Sequence, residues 1–148
     1  MMRLDYPHLA ANGMKALGGV YLYVGGCGLA KPLVDLVYLR ASQINGCAYC
    51  IDSHGHDLLA AGVTAGKLLL VSAWHEAGDV FSDRERAALA WTEAVTMVAG
   101  AGVSDAVFAI VSAQFDEKEI ADLTVAIGLI NAYNRIAISF RRGPEAPP

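Results

Sequence analysis

Two cysteines and one histidine share helical spacing within the stretch 45–54, whose sequence is NGCAYCIDSH. On a helix that turns about 100° per residue, positions 47, 50 and 54 fall within roughly 60° of arc. Helix neighbours three residues apart have Cβ atoms about 5–6 Å apart, and a disulfide needs Cα atoms roughly 4.4–6.8 Å apart. Cys47 and Cys50 can therefore form a disulfide with little backbone movement, and His54 can accept a proton from Cys50. This pattern is typical of thiol redox chemistry.

These residues alone leave open which cysteine is the nucleophile. Cys47 is predicted in the first turn of its helix, where unpaired backbone N–H groups and the helix dipole favour a thiolate. Cys50 lies one turn deeper but has His54 as a candidate base, provided that another group orients the imidazole. Asp35, on the preceding helix, is a candidate for that group. Its alternative role is that of an exposed carboxylate in the first helical turn.

A zinc site is the main competing interpretation of these side chains. Cys47, Cys50, His54 and Asp35 would supply four ligands of suitable chemistry. Structural zinc usually joins separate elements through two distant ligand pairs, whereas three of these ligands share one helix. Because a metal would cross-link little here, redox use of the cysteine pair is favoured and no metal is expected.

The composition indicates one domain that associates with copies of itself. The 148 residues are enough for a substantial core. The hydrophobic fraction is 55% and the charged fraction is 18%, which predicts that other subunits cover some apolar surface. The formal charge is −4 and Lys and Arg form no long run, so nucleic acid and anionic membrane surfaces are not expected as partners.

The cysteine count points to a reducing compartment. Three cysteines, an odd number, argue against a secreted disulfide framework, so we expect a cytoplasmic protein. Cys27 lies among glycines and is predicted to be a small buried apolar residue. The apolar segment 120–140 carries charged and amide side chains, which favour a buried or subunit-facing helix over a membrane span.

Helix signals recur along the whole chain, and no stretch alternates with a period of two, so the fold is predicted to be all-α with six or seven helices. Pro32 suits the first turn of a helix that is predicted to run through Ile44, and Asn45-Gly46 is a stop signal in which Gly46 can take the left-handed cap. The next helix is predicted to end at Gly62. The glycine-rich stretch 18–28 is interpreted as a connection between helices.

Two long helices are predicted later in the chain. Capping boxes at residues 82–85 and 116–119 open them. No linker or internal repeat divides the chain, so residues 1–141 are expected to form one domain. The tail 142–148, rich in proline, is predicted to be disordered.

Three stretches resemble the alkylhydroperoxidase D (AhpD) core of the carboxymuconolactone decarboxylase-like family. The most specific is 36–54 (LVYLRASQINGCAYCIDSH), and the others are 81–96 (FSDRERAALAWTEAVT) and 131–135 (NAYNR). The resemblance implies an all-helical, AhpD-like fold and assembly into trimers or hexamers. It also implies reduction of hydroperoxides without a bound cofactor. An external dithiol reductant, of the dihydrolipoamide, thioredoxin or adaptor type, would recharge the cysteine pair.

The resemblance also implies a role for each site residue. Cys50 would attack the peroxide, Cys47 would resolve the sulfenic acid, and His54 and Asp35 would form the proton relay. Asp35 replaces the glutamate of the peroxidase members and is one methylene shorter, so a bridging water is expected between it and His54. Tyr49 stands where the family can have histidine; it is a secondary candidate, with packing as its expected role.

The predicted function is that of a thiol-dependent peroxidase or disulfide reductase that uses Cys47 and Cys50. One alternative is a redox sensor or interaction protein that uses the same pair without turnover. Another is a lactone decarboxylase-type enzyme from the other branch of the family. That branch does not depend on the cysteine pair, so the intact motif argues against it.

Overall fold

The computed structural model describes residues 2–144. Within this part of the chain the fold is all-helical, as predicted, and contains no strand. It has more helices than predicted, partly because α1 and α7 are single turns of four residues. The α-helices are α1 (Tyr6–Leu9), α2 (Ala11–Gly26), α3 (Lys31–Asn45), α4 (Ala48–Ala60), α5 (Ala65–Leu70), α6 (Asp83–Thr96), α7 (Val98–Ala101), α8 (Asp105–Ser112) and α9 (Glu117–Ser139), with 3₁₀ turns at Val71–Glu76 and Gly78–Val80.

Helix α2 extends through most of the glycine-rich stretch that was interpreted as a connection. The prediction is therefore wrong for residues 18–26, which are helical, and the helix ends at Gly26. Glycine disfavours a helix interior, but α2 packs against α9 and buries Val24 in the core. Tertiary packing therefore outweighs the low helix propensity of the glycines.

Helix α3 is the central element of the fold. Nine of its fifteen residues are buried, and it packs against α4, α6 and α9. Pro32 lies in its first turn, where a missing N–H group costs no helical hydrogen bond. Gly46 ends it with φ 73°, a left-handed conformation that other residues adopt with strain. The chain can therefore turn sharply and begin α4 two residues later.

Both predicted capping boxes are present. Ser82 and Glu85 cap the start of α6, and Asp116 and Glu119 cap the start of α9. In each box the first side chain accepts a bond from the third helical N–H group, and the glutamate accepts one from the cap N–H group. These caps define where the two long helices that enclose α3 begin.

A polar network holds the corner between α3 and α4. Asn45 Nδ2 donates to Oδ1 of Asn131 at 3.0 Å and to Oδ1 of Asn134 at 2.9 Å. Asn134 is fully buried and donates to Ser42 Oγ at 3.0 Å. These bonds join the end of α3 to α9, and they hold the turn that precedes Cys47.

The two ends of the described chain meet beside α9. The backbone N–H of Arg3 donates to the carbonyl of Phe140 at 2.8 Å, and the ring of Tyr6 stacks on that of Phe140 at 5.2 Å. Part of the tail predicted to be disordered, residues 145–148, lies outside the described residues. None of the helices between residues 2 and 144 combines the length and hydropathy that crossing a membrane requires.

Candidate active site

Cys47 and Cys50 form a disulfide at the start of α4, with their Cα atoms 5.4 Å apart. The predicted pairing is therefore confirmed, although Cys47 is the N-cap residue and lies just before the first turn instead of within it. Its Sγ accepts a hydrogen bond from the backbone N–H of Cys50 at 3.4 Å. Because N–H groups of a first turn have no helical partners, this position favours a Cys47 thiolate after reduction.

Cys50 borders an open cavity, although both cysteines are nearly buried. The exposed fraction is 1% for Cys47 and 4% for Cys50. A cavity of about 310 Å³ is lined by Cys50 and His54. Its lining does not include Cys47. A substrate in this cavity would therefore meet Cys50 first.

His54 lies between two carboxylates. Its Nδ1 atom is 3.7 Å from Asp35 Oδ1 and 3.9 Å from Asp57 Oδ2. Both distances are too long for a direct hydrogen bond, and Nδ1 has no hydrogen-bond partner among residues 2–144. The structure thus brings Asp35 and His54 together as predicted, with a gap that agrees with the shorter reach of aspartate.

Lys31 completes this group of charges and was missed in the sequence. Its Nζ atom bonds to Asp35 Oδ2 at 2.5 Å and lies 3.9 Å from Asp57 Oδ2. Burial raises the pKa of Asp35, but His54 and Lys31 outweigh burial and leave this pKa below its ordinary value. Asp35 is therefore a carboxylate at neutral pH and can stabilise a protonated His54. Lys31 stands four residues before Asp35 on one helix, a spacing that could have indicated the pair.

The same carboxylates and imidazole have a spacing compatible with metal binding. One ligand atom from each of Asp35, His54 and Asp57 lies within 4.8 Å of the others. However, the ammonium of Lys31 contacts both carboxylates and already supplies positive charge there. The zinc set considered above also needs both cysteines as thiolates, and here they are joined in a disulfide. The arrangement is better suited to proton transfer than to metal binding.

Aromatic rings form much of the cavity wall. Five of the six tyrosines line it, each from a different helix: Tyr6, Tyr21, Tyr38, Tyr49 and Tyr133. Tyr49 was expected to have a packing role, and its ring lies 3.9 Å from the guanidinium of Arg142, which also lines the cavity. Arg142 donates to the hydroxyl of Tyr6 at 3.2 Å. Residues so far apart in the chain form no local motif that the sequence could have indicated.

Tyr38 lies between two cavities. It lines the cavity of about 310 Å³ and a second of about 250 Å³ that also touches Lys31 and Asp35. Its ring centroid is 4.9 Å from that of His54. Its exposed fraction is 2%, and its hydroxyl has no hydrogen-bond partner in the described part of the chain. Burial, reinforced by nearby Tyr21 and Asp35, raises the pKa of Tyr38 well above its ordinary value, so the hydroxyl keeps its proton.

Comparisons with known sequences agree on one family. The model of the Carboxymuconolactone decarboxylase family matches residues 9–94. The uncharacterized protein YdfG of Bacillus subtilis is 34% identical over 137 residues, which cover 93% of this chain and 92% of that protein. Alkyl hydroperoxide reductase AhpD of Rhodopseudomonas palustris is 39% identical over 66 residues, which cover 43% of this chain and 36% of that protein.

Solved structures show the same fold. ATU0492 of Agrobacterium tumefaciens is a protein of unknown function for which a role as an antioxidant defence protein AhpD has been proposed. It is 38% identical with a TM-score of 0.95, and the match covers 99% of this chain and 100% of that one. The debrominase Bmp8 has a TM-score of 0.79 at 21% identity, covering 88% of this chain and 70% of that chain. At that identity the likeness to Bmp8 establishes the fold alone.

Proposed function

Because the chain belongs to the carboxymuconolactone decarboxylase family, we propose that it is a thiol-dependent peroxidase that reduces organic hydroperoxides through Cys47 and Cys50. The observation that carries this proposal is a disulfide next to an open cavity whose wall includes Cys50 and His54. Sites for small organic molecules have volumes of about 300–1,000 Å³. The cavity of about 310 Å³ therefore favours an organic hydroperoxide over hydrogen peroxide.

The first half of the proposed cycle oxidises Cys50. In the reduced protein, His54 accepts the thiol proton, and the Cys50 thiolate attacks the terminal oxygen of the hydroperoxide. A sulfur–oxygen bond forms as the oxygen–oxygen bond breaks, so the sulfur becomes a sulfenic acid. The remaining alkoxide takes the proton from His54 and leaves as an alcohol. Asp35, held by Lys31, stabilises the positive charge on His54 between these two steps.

The second half of the cycle regenerates the thiols. Cys47 attacks the sulfenic sulfur of Cys50 as the thiolate that its N-cap position favours. The hydroxide that leaves takes a proton from solvent to give water, and the disulfide of the present structure forms. An external dithiol then reduces this disulfide and is itself oxidised to a disulfide. We expect this donor to be of the dihydrolipoamide, thioredoxin or adaptor type. The same exchange step would also serve a disulfide reductase.

A homo-oligomer is part of the proposal. Large apolar side chains are exposed on α2 and α8, among them Leu22 at 76%, Phe108 at 50% and Ile110 at 50%. Exposed apolar area of this kind is typical of surfaces that other subunits cover. It supports the association that the apolar composition predicts, and the family resemblance implies a trimer or a hexamer.

A turnover assay tests the proposed function. Consumption of cumene hydroperoxide is measured for the wild type with dihydrolipoamide or thioredoxin supplied. Loss of the nucleophile in Cys50→Ser should lower the rate by more than about 100-fold. Cys47→Ser should form a sulfenic acid once and then stop, because no resolving thiol is available. Cys27→Ser is the matched control and should keep full activity, since Cys27 is the free cysteine outside the pair.

Two results would contradict the peroxidase. A wild type that forms the 47–50 disulfide once but does not turn over with any of these dithiols would favour the redox sensor. Equal activity of the wild type and Cys50→Ser would remove the cysteine pair from the reaction, whichever reductant is supplied.

A further inference from the structure

The hydroxyl of Tyr38 is a buried hydrogen-bond donor that the fold between residues 2 and 144 does not use. Roughly 90% or more of buried polar groups in proteins have a partner, whereas this hydroxyl has none among the described residues. Leaving such a group unpaired is unfavourable, and phenylalanine would fill nearly the same space. The hydroxyl therefore points to a ligand that completes its hydrogen bond.

The surroundings of Tyr38 indicate where such a ligand binds. Tyr38 and His54 line the same cavity as Cys50, with their ring centroids 4.9 Å apart. Tyr21 and Asp35 also lie close enough to influence the ionisation of Tyr38. Tyr21 is 42% exposed and, like Tyr38, lines both cavities, so we expect a change of its rotamer to open a path to the covered hydroxyl.

We propose that Tyr38 is a catalytic residue that donates a hydrogen bond to the leaving oxygen of the hydroperoxide. This inference rests on the proposed peroxidase and adds a residue to it. When the Cys50 thiolate attacks the terminal oxygen, negative charge develops on the other oxygen as the bond between the two breaks. A neutral phenol in a buried site stabilises that charge strongly, because little water competes for the bond.

Adding Tyr38 to the mechanism does not change where the protons and electrons of the proposed cycle come from. The two electrons that break the oxygen–oxygen bond come from the Cys50 sulfur, and the proton that converts the alkoxide to the alcohol comes from His54. Tyr38 keeps its own proton throughout, in agreement with its raised pKa. It acts as a donor to the developing alkoxide and not as an acid.

The test compares two oxidants that differ in their leaving group. Reduced protein is mixed with tert-butyl hydroperoxide, whose leaving group is a strongly basic alkoxide, or with peracetic acid, whose leaving group is a weakly basic carboxylate. The rate of formation of the 47–50 disulfide is followed in a single turnover by rapid thiol alkylation and mass spectrometry. Tyr38→Phe should slow the reaction of tert-butyl hydroperoxide by about 10- to 100-fold. With peracetic acid, the reaction should slow by less than about threefold, because acetate needs little stabilisation.

The matched control is Tyr23→Phe, since Tyr23 is the sixth tyrosine and does not line the cavity. It should react with both oxidants at the wild-type rate. If Tyr38→Phe lowered the rate of disulfide formation by the same factor with both oxidants, Tyr38 would support the shape of the cavity and would not stabilise the leaving group. An unchanged rate with both oxidants would also overturn the proposal. If the peroxidase itself is wrong, the wild type and Cys50→Ser will consume tert-butyl hydroperoxide at the same rate, a comparison that does not involve Tyr38→Phe.

Discussion

Helix α3 carries a partly buried polar cluster at each end, and the two clusters differ in how fully their atoms are paired. The corner cluster consists of Ser42, Asn45, Asn131 and Asn134, and the relay cluster consists of Lys31, Asp35, Tyr38, His54 and Asp57. In the corner cluster, Asn45 donates to Asn134 at 2.9 Å. In the relay cluster, His54 Nδ1 is 3.7 Å from Asp35, and the hydroxyl of Tyr38 has no partner within the described chain.

This difference separates a structural network from a functional one. A fully paired buried network rigidifies the fold, because moving any member breaks bonds that water cannot replace. A cluster with unpaired groups reduces stability but can accept a proton or a substrate atom. The corner cluster therefore holds the turn before Cys47 in place, whereas in the proposed mechanism the relay cluster is completed only when substrate binds and reacts.

The largest effect on stability is expected from Asn134→Ala. This change removes one of the two acceptors of the Asn45 amide and the donor to the fully buried Ser42 hydroxyl, so one N–H of Asn45 and the Ser42 oxygen lose these partners. Each such group costs about 1–3 kcal/mol, so the free energy of unfolding should fall by about 2–4 kcal/mol. Urea unfolding at pH 7, followed by circular dichroism, measures the change.

An exposed asparagine provides the control for this prediction. Asn12 lies on the solvent side of α2, and Asn12→Ala should change the free energy of unfolding by less than about 0.5 kcal/mol. If Asn134→Ala were no more destabilising than Asn12→Ala, the corner cluster would not be the rigid network described above.

An intermediate effect, with a characteristic pH dependence, is expected from Asp35→Asn. The loss at pH 7 should be about 1 kcal/mol, since the Lys31 partner is 66% exposed and its ion pair is weakened by solvent. The folded protein holds the pKa of Asp35 below its ordinary value. The stabilisation is therefore fully present above about pH 4 and is lost as the pH falls through the lower folded pKa.

Urea unfolding between pH 7 and pH 2 separates this contribution from those of other acids. The wild type should lose more stability than Asp35→Asn as the pH falls below about 4. Parallel stability curves for the two proteins would mean that neither Lys31 nor a protonated His54 stabilises the Asp35 carboxylate.

Much of the fold followed from local signals. Pro32, Gly46 and the two capping boxes mark helix ends by hydrogen bonds between residues close in sequence, and the structure has them where predicted. The glycine-rich part of helix α2 was not predicted from local signals, because glycines disfavour a helix. Its stability comes from contacts with α9, which lies far along the chain. A single sequence carries no direct record of such contacts.

The residues of the candidate site also divide into those that local sequence patterns indicate and those that only tertiary contacts bring together. Cys47, Cys50 and His54 were found because they share one helix, and Asp35 was singled out because the tight corner returns α3 towards α4. Arg142 and the cavity tyrosines other than Tyr49 were not singled out, since they come together only through tertiary packing. Tyr38 was part of the matching motif, but its missing hydrogen bond is visible only once all its neighbours are in place.

The smallest effect on stability, and the one that sharpens the comparison most, is expected from Tyr38→Phe. Removing a buried hydroxyl without a partner also removes the unfavourable burial of a polar group, so the free energy of unfolding should stay unchanged or rise by up to about 1 kcal/mol. The measurement is the same urea titration at pH 7. A decrease of more than about 1 kcal/mol would mean that the hydroxyl is paired in solution. The Tyr38 hydroxyl would then be hydrogen-bonded like the polar groups of the corner cluster, and it could not donate to a substrate oxygen.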